Sequence, residues 1–579
     1  MPINNTVILS YSDVFSDENK SKFDYLNLLP VDELKLAGAF FINASKPGSP
    51  HFDPSFFLGK FFCEANQGVA DLIFEKILGL QNAQSQVLIL NPLSSLQIAE
   101  YSLRLEENNV SNISDQEFEE ILIKAYLKFN EENIHDEEIK NSVQGYMGND
   151  QFAARTLLSI IAYHDLINYN IYDVIVSQFI KAIYLFEFLE QNSSFKPILN
   201  KFLQNYSYND WKEYLQKIMP AIYSIADKAK KNPFTYTDIR IDDSSVESFY
   251  ALHSFESTDD FSRNIDFIKL RDKPFYKIGD GNYRVISDLF LAEKLYNSLY
   301  FSLNQANSTL ADQDKISFRS RFCHEFTENF LFYRAIENIY EKKYLQMSGQ
   351  SIIEKFKIDS EPDYYIRNGN KVFLFESKDV LINAEVKVSY DFEKIEQALK
   401  EKFYFDIKKG KKHNKAVLQL MNNIKNILNE DVVFDKNVKA RTSRVYPIIV
   451  TYYNTLNTPG INYWVNRWHL DELNQLRQAG LTVQNVRKIT IINIDTLLIY
   501  ANLFKERKIS LDVLIDEYHK LGTLKVKKTT TQLSLKKEIT NRYIPFDSFI
   551  YDYCEKRGFK VAPKLFLEIG MKMLEDSNV

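Results

Sequence analysis

Cysteine is scarce in this chain. Only three cysteines occur among 579 residues, at Cys63, Cys323 and Cys554, and no two of them form a Cys-x2-Cys pair. This spacing argues against a zinc finger and against a disulfide scaffold. Scattered cysteines are typical of a reducing compartment, so we expect a cytoplasmic protein. The first residues lack a basic stretch followed by an apolar run, and no signal peptide is expected.

Glycine and proline are also infrequent, with 17 and 15 residues, which favours long helices with few tight turns. Apolar residues make up 45% and charged residues 26%, as in globular proteins. The length predicts about three or four domains. Long uninterrupted apolar runs are missing: the stretch 171–189 contains Asp173, Lys181 and Glu187, so no membrane span is expected.

Several common catalytic motifs are absent from the sequence. There is no Gly-x4-Gly-Lys-Ser/Thr phosphate loop and no Gly-x-Ser-x-Gly nucleophile elbow. The run from Gly279 to Arg284 lacks the last glycine of the dinucleotide-binding pattern and is more typical of a hairpin turn. These absences leave few places at which the chain could perform chemistry.

One short stretch has residues that suit metal-dependent phosphodiester hydrolysis. Asp363 follows Pro362 in the only Pro-Asp pair of the chain, and Glu376 and Lys378 stand at the end of an apolar strand pattern. Two carboxylates that converge at one strand end suit Mg²⁺ or Mn²⁺, which combines them with water and a phosphate oxygen. The lysine can orient the attacking water, help to deprotonate it or stabilise the developing charge.

A predicted β-hairpin connects these residues. Residues 364–367 and 371–375 are rich in aromatic and β-branched side chains, as strands are. Between them, Asn368-Gly369 is the strongest short-range signal for a two-residue turn. The position of this turn decides which residues of the two strands lie opposite each other.

The predicted register places the three residues in one site. Asp363 lies opposite Leu374, which makes Glu376 its diagonal neighbour at about 7–8 Å. Side chains alternate across a strand, so Asp363, Glu376 and Lys378 share one face of the sheet. A register shifted by one residue would move Asp363 to the other face.

Glu-x-Lys by itself carries little information. The same spacing recurs at places that are most simply solvated faces, beginning at Glu33, Glu138, Glu385 and Glu506. Only the instance at Glu376 ends an apolar strand that a hairpin joins to a Pro-Asp pair. An ordinary hairpin with a cross-strand ion pair is the alternative interpretation of this segment.

This arrangement resembles the PD-(D/E)xK nuclease superfamily over about residues 315–500. The resemblance implies an α/β restriction-endonuclease-like core, a mixed sheet flanked by helices, built from a helix, a three-strand meander, a helix and a further strand. It implies that Asp363, Glu376 and the Ser377 carbonyl bind Mg²⁺ or Mn²⁺ and that Lys378 is the catalytic lysine. The implied activity is phosphodiester hydrolysis, most readily as a DNA endonuclease, and phage defence is the context that the family suggests.

The same resemblance implies helical residues on either side of the hairpin. A helical pattern spans residues 321–344, and on it Glu325 and Glu328 are both candidates for a metal-assisting glutamate. After an insertion at about 379–412, a second helical pattern carries Gln419, which resembles a glutamine that supports the site in several branches.

A competing motif overlaps the first helical pattern. His324-Glu325-Phe326-Thr327-Glu328 is close to the zinc-protease helix His-Glu-x-x-His, but its fifth residue is a glutamate, so the second imidazole is missing. A zinc site with His324 and Glu328 on one helix face is the alternative. A surface position for His324, or one behind the metal ligands, is the simpler interpretation.

The whole chain has a net charge of −6. Its N-terminal part is acidic, and positive charge is concentrated in the residues that follow. The densest basic cluster precedes Gln419, and we name its lysines as candidates for binding a nucleic-acid backbone: Lys408, Lys409, Lys411, Lys412 and Lys415. A solvated loop is the alternative interpretation, because charge runs usually lie in water.

The sequence predicts three regions in a mostly α-helical multidomain chain. Residues 1–310 form a helical region for recognition or regulation, 311–500 the nuclease-like domain, and 501–579 a helical C-terminal region. We expect a nucleic-acid partner, with DNA favoured over RNA, and no membrane; the helical regions are compatible with a homo-oligomer or a regulatory protein partner. The alternative function is a catalytically degenerate nuclease fold that serves as a nucleic-acid-binding or assembly scaffold.

Overall fold

The computed structural model describes the chain except for residues 1–4, 17–19, 47, 82–84, 106–112, 142–157, 168, 257–264, 341–343, 359–360, 523–541, 562–563 and 576–579. Helices predominate in the described part, and its largest sheet has five strands with mixed directions. The predicted α/β class, with a mixed sheet inside a mostly helical chain, is confirmed at this level.

The strands are numbered in chain order. Within the described residues they are β1 Asn5–Ile8, β2 Ser85–Leu88, β3 Thr237–Arg240, β4 Phe275–Gly279, β5 Asn282–Val285, β6 Leu345–Ser348, β7 Tyr364–Asn368, β8 Lys371–Lys378, β9 Phe405–Lys408, β10 Lys411–Asn414, β11 Arg444–Thr451 and β12 Thr490–Asn493.

The helices are identified by their bounds. Before the largest sheet they are Tyr11–Val14, Lys22–Leu26, Val31–Ala44, Pro54–Phe61, Gln67–Leu80, Pro92–Arg104, Asp115–Asn141, His164–Ile167, Ile171–Gln191, Lys196–Tyr206, Trp211–Lys231, Ser244–Leu252, Ile268–Asp272, Asp288–Glu293, Asn297–Ser308, Phe318–Arg321, Phe322–Phe332 and Tyr333–Ile339. From β6 onward they are Gly349–Phe356, Ala384–Lys387, Phe392–Phe403, Ala416–Leu428, Ile461–Gln478, Ile494–Ile499, Ala501–Lys505, Leu511–Leu521, Phe546–Lys556 and Lys564–Glu575.

The five-stranded sheet has the order β12-β11-β8-β7-β6. β6, β7 and β8 are antiparallel neighbours, whereas β8, β11 and β12 run parallel. The helices Ala416–Leu428 and Ile461–Gln478 lie in the connections between the parallel strands, which need such crossovers. β8 is the middle strand, and its residues 372–377 are all buried.

Both faces of this sheet are covered by helices. On one face Phe373 and Phe375 belong to an apolar core that includes the helix Ile171–Gln191. On the other face Leu374 packs in a second core with the helix Ala416–Leu428. Because β8 is buried on both faces, its apolar run lacks the polar alternation of a half-exposed strand.

Apolar packing is continuous across the predicted domain limits. The core on the Phe375 face contains residues from Ile175 to Cys554 and thus crosses both residue 310 and residue 500. A separate core, which includes Leu9, Phe41 and Tyr126, holds the N-terminal helices around the parallel pair β1–β2. The three-region division of the chain stays a prediction.

The helix before β6 is built differently from its prediction. It runs from Phe318 to Ile339, and its middle segment Phe322–Phe332 is a π-helix. We call Phe318–Ile339 the site helix. The predicted extension to Tyr344 was wrong, because Tyr340 takes an extended conformation and the chain then enters β6, which pairs with β7.

The β7–β8 turn also differs from its prediction. Asn368 pairs with Lys371, so Gly369 and Asn370 are the turn residues. Gly369 has a φ of +60°, whereas Asn370 is not among the residues with positive φ. Glycine at the first turn position is the type II′ arrangement, in which the asparagine before it can remain in the strand.

The shifted turn changes the partner of Asp363. Tyr364 pairs with Phe375, so the position of Asp363 is opposite Glu376 and the predicted partner Leu374 was wrong. The turn lies one residue later than predicted, so the partner of Asp363 is two positions further along β8. A shift of two positions keeps Asp363 and Glu376 on the same face of the sheet.

In the part of the chain that the structure covers, no helix is both long and apolar enough to cross a membrane. The apolar helix Ile171–Gln191 instead lies in the core, where the buried Lys181 ammonium is 2.7 Å from the Asp495 carboxylate. All three cysteines have free thiols.

Candidate active site

Asp363, Glu376 and Lys378 lie together at one end of the central sheet. The Ser377 N–H donates a hydrogen bond of 2.6 Å to Asp363 Oδ2, which fixes the aspartate against β8. The Lys378 ammonium is 3.0 Å from Glu376 Oε2 and 3.8 Å from Asp363 Oδ2. The hairpin therefore brings the three predicted residues into one cluster.

Glu376 is held in an unfavourable environment for a charge. Its side chain is 0% exposed, and its Oε1 atom has no hydrogen-bond partner among the described residues. Burial, and next the Asp363 carboxylate, raise the pKa of Glu376 well above its ordinary value. A buried carboxylate with a free oxygen is costly for a fold and suits a group that must bind a cation.

Lys378 balances part of this negative charge. Burial lowers the pKa of Lys378, but the Glu376 and Asp363 carboxylates outweigh burial and raise it above the ordinary value. Its ammonium is therefore protonated at neutral pH in this arrangement. In that form it is a hydrogen-bond donor and a positive charge rather than a base.

The structure separates the two glutamates of the site helix. Glu325 turns away from the cluster: it pairs with Arg321 at 2.5 Å and accepts a hydrogen bond from Asn192 at 3.0 Å. Glu328 is electrostatically coupled to the cluster: burial, and next the Asp363 carboxylate, raise its pKa to about 8, and Lys378 opposes the shift. Of the two candidates, only Glu328 is electrostatically coupled to the other predicted site residues.

The donor atoms at this sheet end fit a hard cation of the Mg²⁺ type. Asp363 and Glu376 supply carboxylate oxygens, one of them buried and unpaired, and the Ser377 carbonyl is the backbone candidate. Among the described residues no group of three or more His, Cys, Asp or Glu side chains has the geometry to hold a metal ion. Mg²⁺ often takes only one or two carboxylates and completes its shell with water and phosphate oxygens.

Gln419 has no ion pair or hydrogen bond that joins its side chain to Asp363, Glu376 or Lys378 in the described part of the chain. It stands in the first turn of the helix Ala416–Leu428 and is half-buried. Its side chain makes no hydrogen bond among the described residues. The neighbouring Lys415, at the start of this helix, is coupled to the cluster electrostatically: burial, then Lys408, and further Lys378 lower its pKa.

The predicted basic cluster forms an exposed β-hairpin. β9 and β10 pair with each other in a separate two-stranded sheet, and Lys409 and Gly410 form the turn with φ values of +49° and +74°. The Lys415 N–H donates to the Tyr404 carbonyl at 3.0 Å and closes the base of the hairpin. We call residues 405–414 the basic hairpin. Lys415, at the base of this hairpin, is electrostatically coupled to Lys378.

Several residues that support the cluster were missed by the sequence interpretation. Tyr452 follows β11, is buried, and contacts Ser377 Oγ at 2.6 Å while donating to the Thr327 carbonyl of the site helix. Asp379 accepts hydrogen bonds from Thr327 at 2.8 Å and from Arg319 at 2.7 Å. No local motif marks these residues, because each joins segments that are distant in sequence.

Gly349 is a further supporting residue. Its N–H donates to the Asp363 carbonyl at 2.9 Å, and a Cβ at this position would lie 3.0 Å from the Pro362 carbonyl oxygen. A side chain here would press on the segment that carries Asp363. The glycine thus allows the start of the helix Gly349–Phe356 to pack directly against that segment.

The alternative zinc site has few ligands. His324 Nδ1 is 3.7 Å from Glu328 Oε2, and the imidazole is 67% exposed. No second histidine or cysteine joins this pair among the described residues. His324 lies on the surface, as the simpler interpretation of the sequence had it.

Comparisons with known proteins add no information about this site. No protein-family description, no curated protein and no solved structure matches the chain.

Proposed function

We propose that this chain is a Mg²⁺- or Mn²⁺-dependent nuclease of the PD-(D/E)xK type, acting on DNA in preference to RNA. The observation that carries the proposal is the cluster of Asp363, Glu376 and Lys378, with the ammonium 3.0 and 3.8 Å from the two carboxylates. The order of a helix, three antiparallel strands, a helix and a parallel strand also supports it. Phage defence is the context proposed from the family resemblance.

The roles of the side chains follow from their charges. Asp363, Glu376 and the Ser377 carbonyl would hold the cation. When bound, Mg²⁺ or Mn²⁺ lowers the pKa of a water and neutralises negative charge on the scissile phosphate. The protonated Lys378 donates to the attacking water or to a phosphate oxygen. Glu328, which is electrostatically coupled to Asp363 and Lys378, would be the metal-assisting glutamate of the site helix.

The proposal is tested by incubating the purified chain with supercoiled and linear DNA, and separately with RNA, in Mg²⁺ or Mn²⁺. We expect DNA cleavage that chelation by EDTA stops and that added Mn²⁺ restores. Binding of DNA with no cleavage under any of these conditions, and no binding of Mn²⁺ in calorimetry, would instead support the degenerate scaffold. If the chain neither cleaves nor binds DNA, both the nuclease function and the scaffold function are rejected.

The basic hairpin provides a second, independent test of the nucleic-acid proposal. Replacing Lys408, Lys409, Lys411 and Lys412 with alanine removes four exposed charges without touching the core. We expect duplex DNA to bind at least about 10-fold more weakly. The slope of log K against log salt should fall by up to about 3–4, since each lysine that neutralises a phosphate accounts for about 0.9 of this slope. Fluorescence anisotropy in EDTA measures both quantities without cleavage.

The matched control for the hairpin removes the same amount of charge elsewhere. Lys60, Lys76, Lys230 and Lys231 are exposed lysines of the N-terminal region. Their fourfold alanine variant should keep the parental affinity and salt slope within about a factor of two. Equally weakened binding by the two variants would mean that net charge, rather than the hairpin, determines binding.

A further inference from the structure

A large cavity lies beside the central sheet. It encloses about 530 Å³, within the range of small-molecule binding sites. Its walls come from the helix Ile171–Gln191, from the segment after β11, from the residues after β12, and from the helix Phe546–Lys556. Ends of parallel strands are the usual position for ligand sites in sheets of this kind.

The cavity wall is strongly acidic. Its lining includes six carboxylates and, among the described residues, no lysine or arginine: Asp165, Asp173, Glu293, Asp495, Asp547 and Asp552. Three of these carboxylates pair with lysine or arginine side chains that do not line the cavity. Arg271 pairs with Asp165 and Glu293, Lys387 also pairs with Asp165, and Lys181 pairs with Asp495.

Asp173, Asp547 and Asp552 have no such cation partner in the described part of the chain. Burial, and in second place Asp495, raise the pKa of Asp173 to about 6. Burial is also the largest cause that raises the pKa of Asp547 to about 6. At neutral pH the Asp173 and Asp547 carboxylates are mostly ionised in a partly desolvated space, which is unfavourable unless a positive charge joins them.

Two amide side chains supply an independent sign of a ligand. Gln178 and Asn493 line the cavity and are each 3% exposed. The Gln178 Oε1 atom accepts from the Asn297 N–H at 3.0 Å, and Asn493 Oδ1 accepts from the Asp495 N–H at 2.9 Å. Both oxygens are thus engaged, while the NH₂ groups have no partner among the described residues. These NH₂ groups belong to side chains that are almost fully buried in the cavity wall, so they are available to donate to an acceptor in the cavity.

We propose that this cavity binds a small organic cation that carries amino or guanidinium groups together with an oxygen acceptor. The ammonium or guanidinium groups pair with Asp173 and Asp547, and the oxygen accepts from Gln178 and Asn493. Anionic ligands such as nucleotides are disfavoured by the unpaired carboxylates. The proposal is independent of the nuclease activity, although Tyr452 lines the cavity and also contacts Ser377 Oγ at 2.6 Å.

The test is isothermal titration calorimetry of the full chain at pH 7.5 with L-argininamide, which has a guanidinium group, an ammonium group and a carbonyl oxygen. Spermidine, which has no oxygen, Mn²⁺ and AMP are titrated in parallel. We expect saturable binding of argininamide, weaker binding of spermidine and no binding of AMP at this site. Asp173→Asn and Asp547→Asn should each weaken argininamide binding at least 10-fold.

Two further variants keep the result interpretable. Asp32→Asn removes an 88% exposed carboxylate that is not part of the cavity lining and should leave binding unchanged. Ser548→Lys introduces an ammonium group at an exposed position of the lining, and should weaken argininamide binding while the thermal midpoint stays equal or rises. The proposal is overturned if argininamide fails to bind, if the Asp173 and Asp547 variants bind it as the parent does, or if only Mn²⁺ or AMP binds.

Discussion

Asp363→Asn is expected to lower the rate of metal-dependent DNA cleavage by about 10³-fold or more, because it removes a charged oxygen ligand from the proposed cation site. The substitution preserves the shape of the side chain. An asparagine oxygen can still accept the hydrogen bond that the Ser377 N–H gives to Asp363 Oδ2, so the end of the hairpin should keep its structure. Single-turnover cleavage of a labelled duplex at saturating Mn²⁺ measures the effect.

The control for this variant is Glu354→Gln. Glu354 lies on the helix Gly349–Phe356 near the site in sequence, but it is exposed and accepts a hydrogen bond from Gln350 on the same helix. It should cut at the parental rate, and circular dichroism should give the same spectrum for parent and both variants. Parental cleavage by Asp363→Asn would remove Asp363 from the site and with it the central argument for a nuclease.

Glu376→Gln is expected to make the metal-free protein more stable at alkaline pH while abolishing cleavage. The folded-state pKa of Glu376 is raised, mainly by burial, so its contribution to stability is complete below the ordinary pKa and is lost as pH rises through the folded value. A glutamine has no such loss. At pH 8 the free energy of unfolding of the variant should exceed that of the parent, and the difference should shrink as pH falls to 5.

Urea unfolding at pH 5 and pH 8 in EDTA measures this difference. Adding Mn²⁺ should stabilise the parent more than Glu376→Gln, since the variant keeps only one of the two carboxylate ligands. Glu385→Gln is the matched control, because Glu385 also begins a Glu-x-Lys sequence but is exposed. A Glu376→Gln protein that is less stable than the parent at pH 8 would show that the Lys378 contact outweighs the burial of the charge.

The local pattern around Asp363 could be predicted from the sequence because strand alternation depends only on near neighbours. Aromatic and β-branched runs marked β7 and β8, and the period of two put Asp363, Glu376 and Lys378 on one face. The predicted partner of Asp363 was wrong by two positions along β8, because Gly369 takes the first turn position and the turn therefore lies one residue later than predicted. The error did not change the face, since a shift of two positions preserves it.

The site helix shows what a helical pattern leaves undecided. Its predicted end at Tyr344 was wrong, because the helix ends at Ile339 and Tyr340 already takes an extended conformation. The choice between Glu325 and Glu328 depends on the π-helical segment and on what packs against it. Neither the end of the helix nor the choice of glutamate follows from a spacing of three or four residues, because that spacing assumes a regular α-helix.

The sequence by itself determined that Asp363, Glu376 and Lys378 share one face of the sheet, because this depends on side-chain periodicity within about twenty residues. Only the tertiary structure decided that Glu328 rather than Glu325 is electrostatically coupled to these residues, and that Tyr452 contacts Ser377. The acidic cavity is likewise a tertiary feature, since Asp173, Asp495 and Asp547 meet across more than 300 residues of chain. Contacts of this range follow from how whole helices and strands pack, which no local pattern encodes.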